Sequence, residues 1–248
     1  MKQWNTPGGM AKEVYTDILK QPHTLIAGSI GSGKSVVMNG IIYTALYKAP
    51  PQARFIFIDP KMLELWMYKD LPHTLKYCDT TADTLRTLEA AAEEMMREYE
   101  RIRAQGLKQS DGAHTYIFID ELGDLLTEAP QITHILARLA KLGRAANYHI
   151  IAATQNPNRK TLSAEFEGNC PARLGLRCNN PIESQQIIKS AAAVALPPFG
   201  YAYYMSANIK FLTPQLVKIP YYTDEELADR VKWWTDQKDK PRRHWWSR

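Results

Sequence analysis

One stretch constrains the fold more than any other: His23 to Ile42, HTLIAGSIGSGKSVVMNGII. An apolar run breaks into glycines, reaches a lysine and a serine, and turns apolar again. Gly28, Gly33, Lys34 and Ser35 fit the pattern G-x-x-x-x-G-K-[ST], with Gly31 as a further permissive position. Glycines let the backbone curl so that successive N–H groups point into one cavity, and a following helix adds its N-terminal partial charge there. The residues expected to cradle a nucleotide phosphate are Gly28, Ser29, Gly31, Ser32, Gly33, Lys34, Ser35 and Val36, with Lys34 on the β/γ-phosphates and Ser35 on Mg²⁺.

A loop of this kind sits between a buried strand and a helix, and the rest of the chain supplies that setting. Short apolar runs at Thr24–Ala27, Phe55–Asp59, Tyr116–Asp120, His149–Thr154 and Arg173–Cys178 alternate with segments of helical period. That alternation predicts an α/β fold with a mainly parallel sheet, its strands covered on both faces. From about Ala82 to Gln105, Leu85, Leu88, Ala92, Met95, Tyr99 and Ile102 recur at steps of three and four, and Gly106 follows. The segment is expected to pack on its own domain rather than form a coiled coil. A further helix is expected at about Gln131 to Ala146. Past Pro197 the aromatic, β-prone texture predicts strands extending the sheet edge, and Thr223 with Glu226 forms a capping box for a terminal helix.

Composition narrows the classes. Lysine and arginine exceed aspartate and glutamate, 31 to 26, which suits a polyanionic partner without requiring one. The 3 cysteines form no CxxC pair and read as reduced thiols, not a disulfide framework or zinc site. No run approaches the ~18 apolar residues of a membrane span, and the first residues lack a signal peptide's apolar core. A cytoplasmic protein is expected, with any membrane attachment supplied by a partner.

The apolar run YIFIDE delivers Asp120 to a strand end, where its carboxylate is suited to hold Mg²⁺, with Glu121 placed as general base toward an attacking water. The plainer alternative is that the acidic pair caps the next helix. Gln155 ends another apolar strand. Were that strand to lie between the first one and the acidic-pair strand, Gln155 would sit beside the γ-phosphate.

These segments, with FIFIDPKMLEL, ARLAKLGRAANYHIIAATQNP and PARLGL, occur in an order similar to the motor domain of the FtsK/SpoIIIE family, the RecA-like double-stranded DNA translocases. The resemblance runs from about Pro22 to Trp234, and the triplet Asp59-Pro60-Lys61 is its most telling part. It implies a RecA-like P-loop NTPase core at residues 23–234, after a short lead-in (1–22) and before a basic, Trp-containing tail (235–248). It also implies ATP with Mg²⁺, a hexameric ring around double-stranded DNA, and an arginine supplied by the neighbouring subunit. Arg144 and Arg173 are the candidates; each could instead be a structural ion-pair arginine.

Lys108, Asn156, Asn158, Arg159 and Lys160 are candidate DNA contacts. Binding through them would be salt-dependent and indifferent to sequence. The chain departs from the family at Gln185, where an arginine is usual, and in the short segment before YIFID. The expectation is a pared-down motor of mobile-element or phage character, without the family's membrane anchor or winged-helix module and open to a protein partner for loading or anchoring. Two rivals stand beside it: a packaging or conjugative-coupling ATPase, and a nucleotide-controlled DNA-binding ring without translocation.

Overall fold

The computed structural model describes residues 5–6, 9–10, 21–48, 53–155, 157, 162–206 and 211–236. Its frame is an eight-stranded sheet; β1 (Asn5–Thr6) and β2 (Gly9–Met10) pair separately as a two-stranded antiparallel unit. The strands of the large sheet are β3 (His23–Ala27), β4 (Ala53–Ile58), β5 (Thr74–Cys78), β6 (His114–Ile119), β7 (Tyr148–Thr154), β8 (Ala172–Gly175), β9 (Tyr201–Ser206) and β10 (Phe211–Lys218). Their spatial order is β10-β9-β8-β3-β7-β6-β4-β5, with β8 through β5 parallel and β9 and β10 antiparallel. The expected α/β fold with a mainly parallel sheet and a β-rich C-terminal edge is thus the one adopted.

Alternate side chains along each strand feed two separate cores, as the two-residue period of a strand requires. Ile56, Ile58, Ile117 and Ile119 face one way, packed with α2 (Thr81–Ala104), α3 (Leu122–Glu128) and α4 (Ile132–Leu142). Phe55, Phe57 and Phe118 face the other, packed with α1 (Lys34–Lys48). On that second face Trp234 of α7 (Asp224–Thr235) donates its indole N–H to Leu46 O at 3.1 Å. Tyr99 of α2 donates to Leu142 O at 2.8 Å, so α2 packs within its own domain. The Thr223–Glu226 capping box is formed at the start of α7. Cys78, Cys170 and Cys178 are buried free thiols, and among the described residues no helix is long and apolar enough to cross a membrane.

Two elements end earlier than the sequence suggests, and one strand was not expected. The helix expected to reach Ala146 ends at Leu142. Gly143 brings the chain so close that a Cβ there would meet Leu139 O at 2.5 Å and Tyr148 O at 3.0 Å, and its carbonyl closes the reversal by accepting from Tyr148 N at 2.9 Å. The strand expected at Arg173–Cys178 ends at Gly175, and the next residues pack along the phosphate loop, where Arg177 O accepts from Ser29 N at 2.8 Å. Finally, β5 was not among the expected strands. It lies at the sheet edge with Lys76 exposed between buried ends, so it lacks the all-apolar run of a central strand.

Candidate nucleotide-binding site

In a parallel sheet the loops that follow the strands share one edge, and ligands bind there. Here β3, β7, β6 and β4 are consecutive neighbours, so the segments after Ala27, Thr154, Ile119 and Ile58 converge. β7 lies between β3 and β6, the position that sets Gln155 between the phosphate loop and the acidic pair.

The loop from Gly28 to Gly33 is shaped by its glycines. Gly31 and Gly33 have φ of 70° and 96°, in the left-handed region that costs a side-chain-bearing residue most. A Cβ on Gly28 would meet Ser32 Oγ at 2.5 Å and Leu176 Cβ at 2.8 Å. Ser29 is pinned from outside, its N–H and hydroxyl donating to Arg177 O at 2.8 and 3.0 Å. Among the described residues the buried Ser32 hydroxyl has no hydrogen-bond partner, an uncommon state for an interior polar group. Lys34 opens α1, folded back on its own loop and donating to Gly28 O at 2.9 Å and Ser29 O at 3.0 Å. Burial lowers its pKa, against the opposing pull of Glu121 and Asp120. A glycine-shaped cradle, a hydroxyl without a partner among the described residues and a lysine hydrogen-bonded to two neutral carbonyls fit a phosphate chain. Ser35 and Val36 follow, partly exposed in the first turn of α1. An open cleft of about 300 Å³ extends from Ser29–Ser32 to Arg177–Asn179, Val194 and Pro198.

Asp120 and Glu121 follow β6 and have different surroundings. Asp120 is half-buried, and its pKa is raised to about 6 by burial first, then by Asp59, Glu64 and Glu121, with Lys61 opposing. Glu121 is 3% exposed. It occupies the N-cap position of α3 yet makes no side-chain capping bond. Its carboxylate turns to the neighbouring strand instead: Thr154 Oγ1 donates to Oε1 at 3.0 Å, and the Gln155 N–H donates to both oxygens at 3.1 Å. The helix-capping alternative therefore does not describe Glu121.

The Asp59-Pro60-Lys61 triplet takes on a physical role that the sequence did not disclose. Asp59 is fully buried, and its Oδ2 accepts from Glu64 N (3.1 Å), Leu65 N (2.9 Å) and Tyr77 OH (3.3 Å), fixing the loop after β4. Within that loop Lys61 pairs with Asp124 of α3 at 3.0 Å, tying it to the helix that follows the acidic pair.

Other candidate residues lie apart. Arg144 is exposed in the turn before β7, at the opposite edge of the sheet. Arg173 is engaged inside the subunit: its guanidinium donates to Glu167 O at 2.8 Å and pairs with the Glu167 carboxylate at 3.7 Å, with only 11% of the side chain exposed. Lys108 is exposed between α2 and β6, also at the far edge. Asn156, Asn158, Arg159 and Lys160 lie outside the described residues, as do residues 237–248 of the tail. Gln185 is exposed on α6 (Pro181–Ile188), which follows α5 (Ala164–Gly168) in the chain. The residue that sequence reasoning missed is Thr154; an apolar strand ending in threonine gives no sign of what its hydroxyl meets.

Residues 6–118 match the FtsK/SpoIIIE family. The chain is 37% identical over 197 residues to the DNA translocase FtsK of Helicobacter pylori (strain J99), covering 73% of this chain and 23% of that protein. It is 30% identical over 263 residues to the DNA translocase FtsK of Pseudomonas putida, covering 90% of this chain and 31% of that one. The chain thus spans about a quarter to a third of the length of these relatives. Among solved structures, the pCW3 conjugation coupling protein TcpA, a monomer form with ATPγS, superposes with a TM-score of 0.78 at 19% identity, covering 91% of this chain and 68% of that one. Phosphate loop, acidic pair and β7 stand together at one sheet edge, and by its family match and its identity to these DNA translocases the chain belongs to the FtsK/SpoIIIE family.

Proposed function

We propose that residues 23–234 form the motor domain of an ATP-driven DNA translocase that works on double-stranded DNA in the cytoplasm as a hexameric ring. The observation that carries this reading is the convergence of the Gly28–Ser35 loop, Asp120, Glu121 and Gln155 at one edge of the sheet, in a chain 30–37% identical to DNA translocases.

Bound ATP and Mg²⁺ would supply the phosphoanhydride to be cleaved and neutralisation of its charge; Ser35 and Asp120 are the residues to hold the metal. Lys34 binds phosphate by exchanging two neutral carbonyl acceptors for charged oxygens, a stronger class of hydrogen bond. Ser32 and the loop N–H groups orient the phosphates. Glu121 takes the proton from the attacking water, and Gln155, beside it, is placed to register phosphate loss. Arg144 is the better candidate for an arginine acting in the neighbouring subunit, because it is exposed while Arg173 is committed to Glu167. Lys108 and the residues at 158–160 would contact the DNA backbone, and a separate protein partner would load or anchor the ring.

The test is displacement of a third strand from duplex DNA. A duplex-tracking motor displaces it with ATP and Mg²⁺, and Glu121→Gln retains nucleotide binding but displaces nothing. Displacement that proceeds equally without hydrolysable nucleotide overturns the motor reading in favour of a nucleotide-controlled ring. ATP turnover stimulated only by single strands, with no displacement, points to the coupling or packaging reading, which the likeness to TcpA supports at the level of fold alone.

A further inference from the structure

Thr154 ends β7 and is fully buried, and its carbonyl and its hydroxyl reach the two halves of the nucleotide site. Its carbonyl accepts from Gly28 N at 3.4 Å, at the start of the phosphate loop. Its hydroxyl donates to Glu121 Oε1 at 3.0 Å, on the acidic-pair side. The next amide, Gln155 N–H, reaches both carboxylate oxygens at 3.1 Å. Oε1 therefore receives two donors, whereas Oε2 shares only one. A carboxylate offers about four acceptor positions over its two oxygens, so Oε1 is occupied and Oε2 keeps capacity for an incoming proton.

The sequence has few other means of fixing this carboxylate. Glu121 makes no capping bond to α3, and a glutamate side chain carries three rotatable torsions. A general base works only within hydrogen-bond reach of the proton it takes, and a displacement of about 1 Å can cost ~100-fold in rate. Threonine combines what the position needs: a β-branched shape that suits the end of a buried strand, and a donor.

We propose that Thr154 is a positioning residue for the proposed hydrolysis: its hydroxyl pins Oε1 of Glu121 so that Oε2 is presented to the attacking water, while its carbonyl ties that pin to the first glycine of the phosphate loop. The inference rests on the reading of Glu121 as the general base. It makes the orientation of the base dependent on the geometry of the loop that holds the nucleotide.

The test compares kcat and KM for ATP, with Mg²⁺ and long duplex DNA, in the wild type, Thr154→Val, Thr154→Ser, Glu121→Gln and the Thr154→Val/Glu121→Gln double variant. Valine keeps the shape and loses the donor; serine keeps the donor. The expected result is a kcat lowered roughly tenfold or more by Thr154→Val with KM within about twofold, restored to within about threefold by Thr154→Ser. The same Val change should bring no further loss in the Glu121→Gln background, because its target is already gone. If Thr154→Val does not fold, Thr154→Ala takes its place with the same expectation. A wild-type kcat in Thr154→Val, failure of serine to restore it, or an equal loss in the Glu121→Gln background overturns the role of Thr154. Unimpaired turnover in Glu121→Gln alone instead overturns the assignment of the base, and this inference with it.

Discussion

β6 and β7 each carry ionisable or polar groups at both ends, and the two ends behave differently. At their starts, His114 and His149 are joined Nδ1 to Nε2 at 2.9 Å, His149 Nδ1 reaches Gln21 O at 2.9 Å, and Tyr116 stacks on His149 at 4.7 Å. On the neighbouring β3, His23 Nδ1 accepts from Ile150 N at 3.1 Å. Because Gln21 O can only accept, His149 Nδ1 carries a proton, its Nε2 accepts, and His114 donates from Nδ1; this chain requires a neutral His149. At the other end, Asp59, Glu64, Asp120 and Glu121 crowd around Lys34 and Lys61. Burial raises the pKa of Asp120 and lowers that of Lys34, just as it lowers those of the histidines. What separates them is geometry: the histidines pair with one another and with backbone inside the fold, whereas the far end adds a glycine-shaped cradle and an open cleft. Burial of ionisable groups is therefore a weak mark of function here, and convergence on a preformed cavity a strong one.

The largest contrast should come from acid. Burial holds His23 at about 3 and His149 at about 4, with His114 also lowered, whereas the unfolded chain titrates its histidines near 6.5. Between these values the unfolded state binds more protons, so the stabilisation is complete above pH ~6.5 and is lost as pH falls toward 4 and then 3. The shift of His149 alone corresponds to about 3 kcal/mol. Melting curves from pH 7 to 4 should fall steeply, and His149→Gln, which keeps a donor and an acceptor in place, should flatten the slope. An unchanged slope would break the assignment of this end as a neutral, structural cluster.

Gly28→Ala probes the other end. The added methyl would meet Ser32 Oγ and Leu176 Cβ inside ordinary contact, at a cost of about 1–3 kcal/mol in stability, and it should also weaken nucleotide binding by distorting the cradle. Titration with a fluorescent ATP analogue, beside thermal melts, reads both effects. Binding at wild-type strength would mean that the loop does not hold the phosphates.

Asp120→Asn should move stability the opposite way from the histidines. The folded protein binds its proton more tightly than the unfolded chain does, so in the nucleotide- and metal-free protein the charged form is a penalty that acid relieves. The amide should raise the melting temperature at pH 7, by on the order of 1 kcal/mol in stability, and abolish the gain otherwise expected on lowering pH from about 6 to 4. Lowered stability at pH 7 would contradict the crowding of carboxylates described above. The smallest effect is expected for Lys61→Ala, which removes an exposed ion pair with Asp124: less than about 1 kcal/mol, diminished further by salt.

Much of this could be read from residue types and spacing because it is locally encoded. The phosphate loop, the apolar strands ending in Asp120 and Gln155, the α2 periodicity and the Thr223 cap all depend on neighbours within a few residues. The end of the α4 segment was misjudged because Gly143 is required by a close approach to Tyr148, a contact between elements. β5 was missed because an edge strand need not be apolar throughout. Glu121 was legible as a candidate base, but Thr154 as its partner depends on β7 lying beside β6, which strand propensities do not specify. Arg173 and Arg144 are alike as sequence candidates, and only the fold, which sets Glu167 beside Arg173, distinguishes them.

The central claim is that the edge holding Lys34 and Glu121 is a catalytic centre, and phosphate release by the purified chain with ATP, Mg²⁺ and long duplex DNA tests it most directly. The account predicts DNA-stimulated turnover that Glu121→Gln reduces by about 100-fold or more while nucleotide binding persists. Turnover indifferent to that substitution, or none in the wild type under conditions where it assembles, would contradict it.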